Sequence, residues 1–222
     1  VLEWLLAEKP LANDLHTSLS ALAAPHNINI NVQADDWQIE PVPEIDWLAH
    51  SYQQFPAFSV GPFYIYGAHC EDVPAEGQMG LQINAATAFG SGEHGTTKGC
   101  LLAMLDLKGI GVCPWNILDM GTGSGILAIA AWKLWKTPVL AVDYDEESVR
   151  VAERHREANK VPSGAADMIC AHGDGFAAEI AQKKKPYELV IANILAGPLK
   201  DMAPDLKSVV DDNGYVILSG IL

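Results

Sequence analysis

Residues 119–125 read Asp-Met-Gly-Thr-Gly-Ser-Gly, between the apolar stretch Trp115-Asn-Ile-Leu and the apolar stretch Ile126-Leu-Ala-Ile-Ala-Ala-Trp. A strand that runs into three alternate glycines and continues at once as a helix reads as a ligand-binding turn, although small-residue turns also join strands to helices in many α/β proteins. Glycine removes the Cβ where the backbone must bend sharply and come close to a ligand, and the exposed amides of a new helix attract electron-rich groups. The spacing narrows the ligand. A dinucleotide loop asks for G-x-G-x-x-G, but Ile126 holds the last of those positions and the third glycine comes one residue early, at Gly125. Asp119, leading the loop, would also crowd a pyrophosphate.

Both departures favour a cationic, phosphate-free nucleotide such as S-adenosylmethionine, with Asp119, Gly121 and Gly123 counted among the contacting residues. Outward from the loop, strand and helix patterns alternate in the way that specifies a parallel sheet. Strands are expected at 116–120, 139–143, 168–172, 189–193 and 215–219, and helices at 96–107, 126–134, 146–159, 176–182 and 199–210.

Asp143 closes the second of these strands, 18 residues after Gly125. A doubly wound sheet brings that carboxylate beside the glycine loop, where it can accept from both ribose hydroxyls; Asp145 is the better cap for the next helix. Asp174, in His172-Gly-Asp-Gly, is placed to accept from an adenine amino group, although Asp and Gly also simply make turns. His172 is expected to pack or cap. Asn193 ends the fourth strand in Ile-Ala-Asn-Ile-Leu-Ala-Gly-Pro. A neutral amide there can hold an amine's hydrogen without protonating the amine, so Asn193 is the candidate catalytic residue, with Ile194 and Leu195 keeping the site dry, although an Asn followed by Gly197 and Pro198 also simply ends a strand. Residues 88–97, Ala-Phe-Gly-Ser-Gly-Glu-His-Gly-Thr-Thr, form a second unusual stretch. Its glycines permit close approach, while Thr96 and Thr97 start a helix and offer hydroxyls either to a carboxylate or as caps.

Composition sets wider bounds. With 222 residues and 49% hydrophobic content the chain can fill one ordinary domain and a small appendage. Fourteen Lys and Arg against 28 Asp and Glu give a net charge of −14, which disfavours nucleic acid and suits a basic partner or plain solubility. Cys70, Cys100, Cys113 and Cys170 form no metal-like pattern, so reduced thiols and a cytoplasmic setting are expected. No apolar run is long enough for a membrane. Leu11, Leu15, Leu19 and Leu22 predict an amphipathic helix ending before Pro25. A strand over 27–32, a linker marked by Pro41 and Pro43, a helix over 44–53 and a strand or extended arm over 57–67 follow.

Taken together, AFGSGEHGTT, LDMGTGSGILAIAA, VDYDEESV and VIANILAGPL resemble the ribosomal protein methyltransferase A family, which modifies large-subunit ribosomal protein eleven with S-adenosylmethionine. The resemblance implies a class I methyltransferase, a Rossmann-like doubly wound α/β sheet, with a partial small α+β domain at the amino end. It implies methyl-donor contacts at Thr97, Gly121, Asp143 and Asn193, with Phe89, Gly90 and His94 lining the site. It also implies three segments: 1–42 for recognition of the protein substrate, 43–56 as a linker helix, and 57–222 as the catalytic domain. The chain starts at Val1 and stops after Ser219-Gly-Ile-Leu, ahead of the last two strands of the seven-stranded family sheet, so a carboxyl-terminal truncation is expected. Other readings are methylation of another protein or small amine, a non-catalytic binding module, and a nicotinamide-dependent oxidoreductase. The last is disfavoured by Ile126 and Asn193.

Overall fold

A computed structural model describes residues 12–26, 56–71, 74–84 and 94–220, with the side chains of 12, 13 and 94 excepted. The chain falls into two compact units, Val1–Asp46 and Trp47–Leu222. In the first, α1 (Ala12–Ala23) runs into a 3-10 turn, Ala24–His26, that contains Pro25. Proline cannot continue the helix, as its position in the sequence predicts. The expected strand over 27–32, linker at Pro41 and Pro43 and helix over 44–53 lie outside the described residues.

The second unit opens with a small sheet. The stretch expected as a single strand or arm over 57–67 is instead a hairpin, β1 (Phe58–Val60) antiparallel to β2 (Phe63–Tyr66). Gly61, at φ 54°, and Pro62 make the turn between them, a pair of residues suited to reversing a chain. β3 (Met79–Gln82) adds parallel to β2.

The main sheet contains β4 (Ile117–Met120), β5 (Val139–Asp143), β6 (Met168–His172), β7 (Tyr187–Asn193) and β8 (Val210–Ser219), all parallel, in the order β6-β5-β4-β7-β8. Every residue of β4 and β5 is buried, as in a parallel sheet covered on both faces. Side chains alternate accordingly. Ile117, Ala141 and Ile191 join the core under α2 (His94–Gly109) and α3 (Ile126–Trp135), while Leu118, Val142 and Val190 join the core with Phe176, Ala181 and Leu199. Residues 126–131 of α3 are all buried, which explains why that helix is apolar all round. α4 (Glu146–Ala158), α5 (Glu179–Lys184) and α6 (Ala196–Val209) complete the layers.

Several boundaries differ from expectation, among them α5, which runs Glu179–Lys184 rather than 176–182, and β7, which starts at Tyr187 rather than 189. α2 begins at His94, so Thr97 stands inside its first turn. α6 begins at Ala196, because Pro198 falls where a helix needs no N–H partner. β8 starts at Val210, directly after α6, with an irregular register near Tyr187. The strand order reverses at β4, whose neighbours β5 and β7 lead to opposite sides, and such a switch point opens a crevice beyond the strand ends.

Candidate functional site

The glycine loop is built as its sequence suggests. Gly121, Gly123 and Gly125 have φ of 70°, 54° and 80°, a region that side-chain-bearing residues resist. A Cβ on Gly121 would run into Ile194 Cγ2, and one on Gly125 would lie 3.1 Å from Ala152 Cβ. The loop is anchored to the neighbouring strand: Gly121 N and Thr122 N donate to Val142 O at 2.8 and 2.9 Å.

Asp143 is buried at the end of β5. Its Oδ2 accepts from Gly123 N at 2.8 Å and its Oδ1 from Asp145 N at 3.1 Å. A carboxylate has about four acceptor positions, so two remain for ligand hydroxyls. Asp145 caps α4, accepting from Glu147 N and Ser148 N. Opposite Asp143, Asn193 Nδ2 donates to Thr97 Oγ1 at 3.2 Å, joining the end of β7 to the first turn of α2. Exposed Asp174 stands on the loop after β6, and His172 Nε2 is held by the Tyr144 carbonyl at 2.9 Å, a packing role.

These groups surround one cavity of about 670 Å³, lined by Thr97, Gly121, Gly123, Asp143, Asp174 and Asn193 among others. A smaller cavity of about 230 Å³ at the amino ends of the strands, beside Trp115 and Lys184, has no such convergence. Among the described residues, no group of three or more His, Cys, Asp or Glu could hold a metal ion, and no helix is long and apolar enough to cross a membrane.

Two expectations are corrected. Asp119 does not line the cavity. It lies beneath the loop, where Oδ2 accepts from Thr122 Oγ1 at 2.6 Å and from Ala128 N at 3.1 Å, and where Oδ1 is buried with no hydrogen-bond partner among the described residues. Burial pushes its carboxyl up to about 7, the hydrogen bonds from Thr122 and Ala128 oppose the rise, and the Asp143 charge adds to it. Asp119 therefore shapes the loop from below. Leu195, expected to keep the site dry, is 71% exposed at the cavity rim, whereas Ile194 packs on Gly121. Phe89 and Gly90 lie outside the described residues, as does the side chain of His94.

The family model for ribosomal protein L11 methyltransferase (PrmA) matches residues 9–222. The chain belongs to this family. Curated relatives named ribosomal protein L11 methyltransferase, from Sinorhizobium fredii (strain NBRC 101917 / NGR234) and Brucella suis (strain ATCC 23445 / NCTC 10510), are 45% and 40% identical to it over 183 residues, 82% of this chain. The matches cover 62% and 63% of those relatives' lengths. The crystal structure of a ribosomal protein L11 methylase from Lactobacillus delbrueckii subsp. bulgaricus is similar at a TM-score of 0.61 and 33% identity, covering 75% of this chain and 80% of that one. The family's α/β methyltransferase fold is thus the fold of this chain.

Tyr144, Met202 and Gly220 also line the cavity, and sequence reasoning missed them. Tyr144 carried a signal, an aromatic residue set among Asp143, Asp145, Glu146 and Glu147 and 74% exposed. Met202 carried none, because its place depends on how α6 returns over the sheet.

Proposed function

We propose that this chain carries the methyl-donor site of an S-adenosylmethionine-dependent protein N-methyltransferase acting in the cytoplasm on lysine or α-amino groups of a large-subunit ribosomal protein, the L11 of its relatives' names. The observation that carries the proposal is the meeting of Asp143, the glycine loop and the Asn193–Thr97 pair around one cavity at the carboxyl edge of the sheet. Its volume is in the range of small-molecule sites. Gly123, with no described atom within 4 Å of where a Cβ would stand, gives a backbone surface that a flat nucleoside can approach, while at Gly121 that space is filled by Ile194.

When bound, S-adenosylmethionine supplies a methyl group on a positively charged sulfur, already activated for displacement. The residues of this chain supply position. Asp143 accepts from ribose hydroxyls with its remaining lone pairs, Asp174 from the adenine amino group, and Gly121 and Gly123 admit the ligand against the backbone. Thr97 holds the Asn193 amide through Nδ2, and Asn193 Oδ1 is the acceptor for a hydrogen of the incoming amine. That amine must be neutral to attack. Deprotonating a lysine of ordinary pKa near pH 7.4 costs roughly 4 kcal/mol, and a pocket that excludes water lowers the cost by disfavouring the ammonium form. Since Asn193 is no base, the proton leaves through water.

The test is to incubate the protein with labelled methyl donor and purified ribosomal protein, and to titrate S-adenosylhomocysteine and NAD by calorimetry. Label on lysine or the α-amino group, with binding of the first compound only, is the expected result. In Asn193→Ala, transfer should fall at least about 100-fold while S-adenosylhomocysteine binds within about tenfold of wild type. Binding without any transfer by the wild-type chain would leave a binding module, and label only on other amines would change the substrate.

A further inference from the structure

Among the described residues, the edge of β3 that faces away from β2 is paired by side chains rather than by a strand. Lys133 of α3 donates to the Gly80 carbonyl. Asn159, after α4, brackets Gln82, accepting from its N–H at 3.0 Å and donating to its carbonyl at 2.8 Å. One turn earlier on the same helix, buried His155 takes the N–H of Asn84 on Nε2 at 3.0 Å. Alternate residues 80, 82 and 84 present their backbone groups on one edge, and side chains one helical turn apart can reach consecutive members of that row.

The second nitrogen of His155 reaches the glycine loop: Nδ1 lies 2.8 Å from Ser124 O. The Asn84 amide can only donate, so Nε2 is bare and the ring proton sits on Nδ1, donating to Ser124. Ser124 O needs that partner for a local reason. In an ordinary helix start, the N–H four residues on, that of Ala128, would bond to it. Here Asp119 takes that N–H, and the left-handed Gly125 turns the chain between them. The loop is therefore clamped twice, Asp119 on the amide of Ala128 and His155 on the carbonyl of Ser124. Ser124 adjoins Gly123, whose N–H sets Asp143.

We propose that neutral His155 is a positioning residue for the methyl-donor site, holding Ser124 so that Gly123 and Asp143 keep their alignment. The inference rests on the reading of the cavity above. It is tested by calorimetric titration of S-adenosylhomocysteine into wild type, His155→Leu, His155→Asn and His155→Gln, with melting temperatures measured in parallel. Asparagine keeps an N–H near Nδ1 for Ser124; glutamine keeps an acceptor near Nε2 for Asn84. We expect about tenfold weaker binding in His155→Leu and His155→Gln, and recovery to within about threefold of wild type in His155→Asn, whatever the order of melting temperatures. Binding in His155→Asn no tighter than in His155→Gln overturns the proposal, as does wild-type affinity in His155→Leu. If His155→Leu does not fold, the Asn and Gln variants decide between them. Failure of the wild type itself to bind S-adenosylhomocysteine removes the cavity reading and this inference together, whereas a tight wild type with four equal affinities removes only the inference.

Discussion

Asp119 and Asp143 are two acids at neighbouring strand ends with opposite surroundings. Asp143 stands on the cavity wall and Asp119 under the loop. For Asp143 the expected outcome of Asp143→Asn, which keeps the shape and one acceptor oxygen, is about tenfold weaker binding of S-adenosylhomocysteine by calorimetry, with the fold retained. For Asp119 the consequence is a pH dependence of stability. An unfolded aspartate loses its proton near pH 4, but the buried carboxyl keeps it up to about 7. The native state holds the extra proton across that window, so stability from this group is complete below pH 4 and is lost as the pH rises through 7. Asp119→Asn can still accept from Thr122 and Ala128 and does not titrate. Relative to wild type it should gain on the order of 4 kcal/mol between pH 4 and pH 8, measured by urea unfolding at each pH.

The β4–α3 junction joins local conformation to packing. Gly125, at φ 80°, ends the loop, and Ala152 of α4 lies against it with Cβ at 3.1 Å and Cα at 3.2 Å from where a Cβ would sit. Gly125→Ala must adopt a left-handed conformation and push α4 away from α3. A loss of about 2 kcal/mol or more is expected in chemical denaturation, because the conformational cost and the overpacking add. Hydrogen exchange should quicken along α4. The packing of α4 against this loop is also what brings His155 to Ser124.

The whole chain carries a net charge of −14, and Asp174 and Asp201 add acids at the cavity mouth. Under the proposed function, a basic protein substrate should be drawn to such a surface, and salt should screen the attraction. Raising ionic strength from about 50 to about 300 mM is expected to increase KM for the protein substrate several-fold, measured by label transfer, with little change in S-adenosylhomocysteine affinity. Much of this architecture was readable along the chain. The alternation of strand and helix, the ends of β5 and β6, and the placement of Gly121, Asp143 and Asn193 at one edge follow from periodicity and from glycine's access to positive φ. The stretch 57–67 reads along the chain as a strand or extended arm, although a turn pair stands at Gly61 and Pro62, because the aromatic residues on both sides suggest continuity.

The residues by themselves determined where the chain turns, which faces are apolar and which strand ends carry polar groups, because those properties depend on near neighbours and on side-chain chemistry. Only the tertiary structure decided that Asp119 lies under the loop rather than in the cavity, that Thr97 meets Asn193 across 96 positions, and that His155 joins Asn84 to Ser124. Such bonds exist only once separate elements have docked. Local sequence does not specify the distances between those elements, since burial of the two sheet faces sets them.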